Sequence, residues 1–388
     1  MENLNYHNNN TPLVIPLDSI ESRKQLREHL EGVMTKTYEE LKENQELEYT
    51  DYLLKTYVIE SNQGSIPHLP PINGYDFQLK ETRDKTLYIL RARQNNNQQD
   101  ANQEGTFYID TYNPRFWYVH TAEKSSFTDN LLSKIITSEM NGLDNPWLSA
   151  GFLESIGRGE TFRGFSMKFD DEFIVDEEGN VPLKNLSMRL WGNAATKVIN
   201  HLKQEKDLRH ALALSGVSTK TYFEKNFVLE DIFYNGKFTV KGTSIDGHFH
   251  IVNKIVNHYE ENINEIEDNC AISYEKDERG YRFSGSPISI IFKKKIENLE
   301  FFLDQLFSSK KPFRLWGVRK KLSKDYVKVG AVDLHTGHTL NIEISNEWAR
   351  VYLPRNSCGN TFLRLFTNLQ QHYDSEAKVE GLEHERVI

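Results

Sequence analysis

The amino-acid sequence predicts an α+β fold of several domains, in which antiparallel sheets carry helices on one face. The chain has 388 residues, which corresponds to roughly two or three domains of ordinary size. Aromatic residues make up 12% of it, a content that disordered chains lack, so most of the chain is expected to fold. Runs of β-branched and aromatic residues are separated by helical patterns, a succession that is typical of α+β architectures.

Six segments are expected along the chain. They are a disordered tail at 1–12, an N-terminal helix with a proline-containing linker at 13–75, a strand-rich α+β domain at 76–180, an α+β unit at 181–285, an α+β unit with a basic strand segment at 286–375, and a tail at 376–388. The last two units share the expected order β-α-β-β-β-α, which suggests a duplication of element order. The tetrapeptide Arg-Leu-Trp-Gly occurs at 189–192 and at 314–317 but out of register, so the sequence itself is not repeated.

The N-terminal segment combines a helix with a linker. Asp18 and Glu21 have the spacing of a capping box, and apolar residues then recur at helical intervals to about Glu43. Three prolines between residues 64 and 74 exclude both a helix interior and a central strand, so this stretch is predicted as the linker.

The middle of the chain is rich in strand signals. Strands are predicted at 86–90, 106–112, 116–121, 161–169 and 173–175. The polar stretch at 94–104 is predicted as a loop between the first two strands, because it has nothing to bury. A helix is predicted to begin at Ser125, where serine can cap the first turn.

The C-terminal units carry the clearest local signals. Asn235–Gly236 between two strand patterns predicts a tight hairpin, because both residues tolerate a positive φ. The elements predicted around it are a strand at 186–191, a helix at 194–202, strands at 227–234 and 237–241, and a helix from about Asp246. Those predicted further on are a strand at 288–292, a helix at 296–306, strands at 327–334, 339–344 and 348–353, and a helix at 362–373.

Composition excludes several classes of protein. The formal net charge of −9 excludes a wholly basic surface, although it permits a local basic patch. No apolar stretch approaches the roughly 18 residues of a membrane helix, and the polar N-terminus shows no secretory signal. Cys270 and Cys358 are too few for a disulfide framework, and each is predicted to be structural. A cytoplasmic location without a membrane partner is therefore expected.

Sequence motifs for catalysis are missing. The sequence contains no phosphate-binding P-loop, no Gly-x-Gly-x-x-Gly, no His-Glu-x-x-His and no Gly-x-Ser-x-Gly. No catalytic residue and no cofactor is predicted, and a non-catalytic role is favoured.

Two histidine pairs leave the question of a metal open. His248 and His250 follow Asp246, and His335 and His338 lie close after Asp333. Imidazoles beside a carboxylate can bind a transition metal, but neither pair has further ligands near it in sequence. Both pairs are interpreted as solvated turn residues, and no metal ligand is assigned.

One segment stands out by its charge. Residues 310–328 contain eight Lys or Arg residues and a single Asp, interleaved with aromatic residues, in a predicted strand pair. Cations can neutralise phosphates and aromatic rings can stack on bases, so this pattern favours nucleic-acid binding. The candidate contact residues are Lys310, Lys311, Arg314, Trp316, Arg319, Lys320, Lys321, Lys324, Tyr326 and Lys328.

The resulting hypothesis is a non-catalytic nucleic-acid-binding subunit of a cytoplasmic complex. One alternative is a protein-interaction scaffold that docks a partner enzyme through its N-terminal helix and the basic strand. A basic edge strand that only discourages aggregation is a second reading of the same segment. A third alternative is a metal-dependent hydrolase or nuclease built from acidic residues and the histidine pairs.

Overall fold

The computed structural model describes residues 20–43, 52–95, 103–138, 140–159, 161–173, 183–192, 194–206, 208–278 and 280–382. The predicted tail at 1–12, Asp18 of the capping box, most of the loop at 94–104 and residues 174–175 of a predicted strand lie outside the described residues.

The fold is α+β with antiparallel sheets, as the sequence predicts. The described helices are α1 (Arg23–Glu43), α2 (Ser125–Ile136), α3 (Ala150–Gly159), α4 (Ala195–Leu202), α5 (Ile245–Glu265), α6 (Leu299–Leu306) and α7 (Asn360–His372). The predicted helices at 194–202, 296–306 and 362–373 are confirmed within a few residues as α4, α6 and α7. None of the helices described is long and apolar enough to cross a membrane.

The larger sheet contains eleven strands. They are β1 (Leu54–Ser61), β2 (Tyr75–Glu81), β3 (Leu87–Gln94), β4 (Glu104–Asp110), β5 (Phe116–Thr121), β6 (Leu143–Asp144), β7 (Thr161–Asp170), β8 (Asn185–Trp191), β9 (Leu214–Phe223), β10 (Asn226–Phe233) and β11 (Lys237–Gly242). Their order is β2-β3-β4-β5-β1-β11-β10-β9-β7-β8, and β6 pairs with β1. The boundary predicted between residues 180 and 181 falls between β7 and β8, which pair with each other, so the sheet continues across it.

The remaining strands form a ribbon and a smaller sheet. They are β12 (Ser273–Asp277), β13 (Gly280–Ser284), β14 (Ile288–Ile291), β15 (Leu315–Ser323), β16 (Tyr326–Asp333), β17 (Thr339–Ser345), β18 (Trp348–Tyr352) and β19 (Lys378–Glu380). β12 and β13 pair as the ribbon, and the smaller sheet has the order β15-β16-β17-β18-β14-β19. The predicted tail at 376–388 thus contributes an edge strand.

Helix α7 lies in the core shared by the two larger sheets. Every residue from Asn360 to Gln371 is buried, although several of them are polar. The side chain of Gln371 donates to the carbonyl of Leu214 at 2.8 Å, and that of Thr367 donates to the carbonyl of Trp147 at 3.2 Å. Buried polar groups need such partners, so these bonds fix the position of α7 against the larger sheet.

The predicted hairpin at Asn235–Gly236 is confirmed between β10 and β11. Gly236 has a φ of +73°, and a Cβ atom there would lie 2.3 Å from Cγ of Pro146. Glycine is required at this position both by the backbone conformation and by the close approach of the proline.

Candidate functional site

The basic segment at 310–328 lies at one edge of the smaller sheet. β15 is an edge strand, and it pairs with β16 in antiparallel register. Successive side chains of a strand point to opposite faces, and β15 follows this rule: Leu315 is buried whereas Trp316 is 50% exposed. The cations of the segment are therefore divided between two faces of the sheet.

One of these faces is directed to solvent, and we call it the open face. It is formed by the half-buried and exposed side chains of β15 to β18 and carries Trp316, Val318, Lys320, Leu322, Tyr326, Lys328, Glu343, Trp348, Arg350 and Tyr352. The alternate residues of the same strands are mostly buried, so the sheet has one apolar and one solvated face.

The charged residues of the open face form a row across four strands. Lys320 is opposite Lys328, Lys328 is opposite Glu343, and Glu343 is opposite Arg350. The Lys328 ammonium lies 3.7 Å from the Glu343 carboxylate, which also accepts a hydrogen bond of 3.0 Å from the Tyr352 hydroxyl. The row therefore holds three cations against one carboxylate.

Aromatic rings flank this row. The rings of Tyr326 and Trp348 are 5.7 Å apart between centroids, and the Arg350 guanidinium lies 5.0 Å from the centroid of Trp348. Trp316 stands on the edge strand, beside Val318, which is 62% exposed. The open face thus combines flat apolar surfaces with cations.

Two predicted contact residues lie on the opposite side of β15. Arg319 contacts Asp304 of α6 at 2.7 Å, and Lys321 contacts Glu300 of the same helix at 3.1 Å. These ion pairs direct both cations towards α6. Arg319 and Lys321 therefore lie on a different surface from Lys320, because neighbouring residues of a strand point to opposite faces.

The remaining predicted contact residues differ in their accessibility. Arg314 is only 4% exposed and donates to the carbonyl of Leu143 at 3.2 Å, so the structure corrects its assignment as a phosphate contact. Lys311 donates to the Ser133 hydroxyl at 2.8 Å. Lys310 and Lys324 are exposed outside the two strands.

A second group of chemically active residues is buried where the two larger sheets meet. Glu60 of β1, His335 of the β16–β17 turn and Cys358 before α7 form what we call the junction cluster. The Cys358 thiol donates to Glu60 Oε1 at 3.2 Å, and His335 Nε2 lies 3.4 Å from Glu60 Oε2. Asn62 Nδ2 lies 3.4 Å from Glu60 Oε2.

The interpretation of His335 as a solvated turn residue is wrong. Its side chain is fully buried because the turn packs against the chain before β6, where the amide of Gly142 donates to the carbonyl of His335 at 3.2 Å. His338 of the same pair is exposed, so the two histidines do not act together.

The junction cluster is supported by a buried ionic network. Arg364 of α7 donates to both Asp144 and Asp333, and it is completely buried. Asp333 also accepts a hydrogen bond of 2.5 Å from the hydroxyl of Thr361. Burial alone would raise the pKa of Asp333, but the Arg364 charge, together with His335 and the Thr361 hydroxyl, outweighs burial and lowers this pKa, so Asp333 is a carboxylate.

Desolvation also affects the cluster itself. Burial raises the pKa of Glu60, although the charges of His335 and Arg115 oppose this shift. Burial raises the pKa of Cys358 as well, and the neighbouring Glu60 adds to the effect. Without a further positive charge, Cys358 is therefore a neutral thiol.

A cavity of about 700 Å³ lies between α1, α5 and the β4–β5 turn. His120 is part of its wall, and burial lowers the pKa of this histidine to about 3, so its ring is neutral. His120 Nδ1 lies 2.8 Å from the hydroxyl of Thr56, which lies 2.7 Å from His248 Nε2. His248 in turn contacts Glu230.

This hydrogen-bonded chain corrects the interpretation of His248 as a solvated residue. His248 is fully buried in the first turn of α5, whereas His250 is exposed on the same helix. Thr56 is also fully buried, so its hydroxyl is not available as a nucleophile. The chain supplies hydrogen bonds to polar groups that connect β1, β5, β10 and α5.

Two comparisons with known proteins each cover almost the whole chain. A family model described as "MJECL33-like protein" matches residues 15–388. A relative from Methanocaldococcus jannaschii, described as "Uncharacterized protein MJECL33", is 33% identical over 410 residues. The alignment covers 94% of this chain and 95% of that relative.

Proposed function

The chain belongs to the MJECL33-like protein family, and we propose that it binds single-stranded nucleic acid on the open face of its smaller sheet. The observation that carries this proposal is that exposed Trp316 and half-buried Tyr326 and Trp348 share one solvated sheet face with a row of three cations. The proposal includes a non-catalytic role and a cytoplasmic location, and the two free cysteines suit such a reducing compartment.

The aromatic side chains provide stacking surfaces for bases. Trp316 lies on β15 and Trp348 on β18, three strand spacings across the sheet and six residues along it, which together amount to roughly 25 Å. The two indoles therefore present separate surfaces to different nucleotides. Stacking of a base on an aromatic side chain contributes about 1–3 kcal/mol and depends little on the identity of the base.

The cations of the row provide contacts for phosphates. Lys320 and Lys328 face each other across β15 and β16, and Glu343 offsets part of their charge. Few phosphates are neutralised in this way, so the salt dependence of binding should be shallow compared with that of a strongly basic protein.

A single strand fits this surface better than a duplex does. Bases stacked within a duplex are not available to Trp316 or Trp348, whereas unpaired bases can be splayed onto aromatic rings. Apolar Val318 is the next residue to Trp316 on the open face of β15 and can contact the same bases.

The experiment measures binding of dye-labelled oligothymidine and oligouridine, each about twelve nucleotides long, by fluorescence anisotropy. Replacing Trp316 with alanine (W316A) should weaken binding about tenfold, because one stacking contact is lost. A difference in affinity between the two oligonucleotides identifies DNA or RNA as the preferred class.

Trp191 offers a matched control on another sheet edge. It belongs to the other Arg-Leu-Trp-Gly tetrapeptide, at 189–192. Its side chain is half-buried on the edge strand β8, and the centroid of its ring lies 4.8 Å from the Arg189 guanidinium. W191A should bind both oligonucleotides like the unmodified chain. Equal weakening by W191A and W316A, or no binding by the unmodified chain, contradicts the proposal.

A further inference from the structure

We propose that the junction cluster binds one Zn²⁺ ion through Glu60, His335 and Cys358, with the Asn62 carboxamide as the fourth ligand. This site is distinct from the open face and does not depend on it. Protein side chains fill all four ligand positions, of which Glu60, His335 and Cys358 are at most 5% exposed and Asn62 is exposed, so the ion would have a structural role.

The donor atoms have the chemistry and spacing of a zinc site. A carboxylate, an imidazole and a thiolate are the common protein ligands of Zn²⁺. Their candidate ligand atoms all lie within 4.8 Å of one another. Cys358 Sγ lies 3.2 Å from Glu60 Oε1, and His335 Nε2 lies 3.4 Å from the other oxygen, Oε2. Each distance is close to the edge of a zinc tetrahedron, about 3.3–3.7 Å.

Asn62 occupies the fourth corner of this arrangement. Its Nδ2 atom lies 3.4 Å from both Glu60 Oε2 and His335 Nε2, and 4.0 Å from Cys358 Sγ. The oxygen and nitrogen of a carboxamide have nearly the same shape, so a half-turn of the amide places Oδ1 at this corner. The oxygen can then serve as the fourth ligand.

The surroundings of the second ring nitrogen of His335 also favour a zinc site. Nδ1 is buried without a hydrogen-bond partner among the described residues, and it lies 3.7 Å from Asp333 Oδ2 and 3.9 Å from Asp144 Oδ2. A histidine that binds zinc through one nitrogen usually directs its other N–H at a carboxylate. His335 Nδ1 thus faces two carboxylates, although neither is within hydrogen-bond distance of it.

Three buried carboxylates surround the cluster, and guanidinium groups match two of them. Arg364 contacts both Asp144 and Asp333, and Arg314 lies 3.7 Å from Asp144, so these two carboxylates match two guanidinium groups. Glu60 remains as the third buried carboxylate.

The guanidinium group beside Glu60 is shared with another acid. Arg115 lies 3.6 Å from Glu60 but only 2.5 Å from Glu267. A Zn²⁺ ion that displaces the thiol proton of Cys358 to solvent adds a net single positive charge, which matches Glu60. The competing arrangement, an imidazolium of His335 paired with Glu60, needs no metal and is the outcome that would overturn the proposal.

The test starts with the full chain purified from a medium that contains zinc. Elemental analysis after extensive dialysis should find about one zinc per chain, since protein side chains fill all four ligand positions. After removal of the zinc with a chelator, Co²⁺ should bind and give the near-ultraviolet charge-transfer absorption of a cobalt–thiolate bond. Zn²⁺ should displace that absorption.

The two cysteines provide a matched pair of variants. Cys270 and Cys358 are both buried, but only Cys358 belongs to the junction cluster. Cys358→Ala should abolish the cobalt–thiolate absorption, and Cys270→Ala should retain it. The proposal is overturned if the folded, unmodified chain holds no stoichiometric zinc and gives no thiolate absorption with Co²⁺, or if only Cys270→Ala abolishes it. The measurements on the unmodified chain decide the matter even if Cys358→Ala does not fold.

Discussion

Replacing Arg364 with methionine should destabilise the protein severely. The Arg364 side chain is fully buried, contacts the carboxylates of Asp144 and Asp333, and donates to the carbonyl of Phe313 at 3.0 Å. Methionine has a similar length but no charge, so two buried carboxylates lose a guanidinium partner. Removal of one partner from a buried ion pair typically costs about 3–5 kcal/mol, and we expect a loss in this range.

The matched control is the same substitution at Arg319. This arginine contacts Asp304 at 2.7 Å, but the Asp304 side chain is 63% exposed. Ion pairs in such surroundings contribute about 0–1 kcal/mol, so R319M should be nearly neutral. Urea denaturation followed by far-ultraviolet circular dichroism gives both free energies of unfolding. A loss below about 1 kcal/mol for R364M would refute the argument, because water would then be compensating both carboxylates.

The charge row, a buried histidine and a turn glycine each give a further prediction. K320Q should reduce the slope of log affinity for a single strand against log salt concentration by about 0.7. The cation of Lys321 is directed at α6, so K321Q should leave the slope unchanged. Binding titrations at several salt concentrations measure both slopes, and equal slopes would contradict the assignment of Lys320 as a phosphate contact. Burial lowers the pKa of the His120 side chain from 6.5 to about 3. Between these two pH values only the unfolded chain binds the proton, so the free energy of unfolding should fall by about 1.4 kcal/mol for each pH unit between 6.5 and 3. H120Q should remove that part of the slope in denaturation curves measured across this range, and an unchanged slope would argue against a neutral ring. G236A should lower the free energy of unfolding by about 2 kcal/mol, because Gly236 has a positive φ. G330A is the control and should have no such effect, because a Cβ atom there would meet nothing within 4 Å. Equal effects of the two variants in thermal melts would contradict the requirement for glycine in the β10–β11 turn.

The sequence predicts the local structure of this protein well where the signals are local. The hairpin at Asn235–Gly236 and the helices α4, α6 and α7 rest on turn chemistry and periodicity within a few residues of each other. The sequence predicts no strand at β1, β2, β6, β9, β12, β13 or β19 and no helix at α3. β9 is stabilised by pairing with β7 and β10, and such partners are not visible in its own residues.

The open face could be predicted only in part. The charge and aromatic content of 310–328 identified the strand pair, and the two-residue period of a strand could have separated Lys320 from its neighbours Arg319 and Lys321. Trp348 and Arg350 come from a strand outside that segment, and only the sheet register brings them to the same face.

The junction cluster could not be predicted because its members are distant in sequence. Glu60 and Cys358 are separated by 298 positions, and His335 belongs to a turn whose sequence is typical of solvent exposure. A metal site formed by residues from β1, a turn and the start of α7 has no characteristic spacing along the chain. Burial of the turn against residues 140–142 creates the environment of His335, and that packing is a property of the whole fold.

Photocrosslinking tests the location of nucleic-acid binding most directly. A single-stranded oligonucleotide containing iodouracil is bound to the full chain, irradiated, and the adducts are located by mass spectrometry. Binding on the open face predicts adducts on peptides that contain Trp316, Tyr326 or Trp348, and a loss of the first adduct in W316A. Adducts confined to other surfaces, or none under conditions in which the oligonucleotide is bound, would contradict the account.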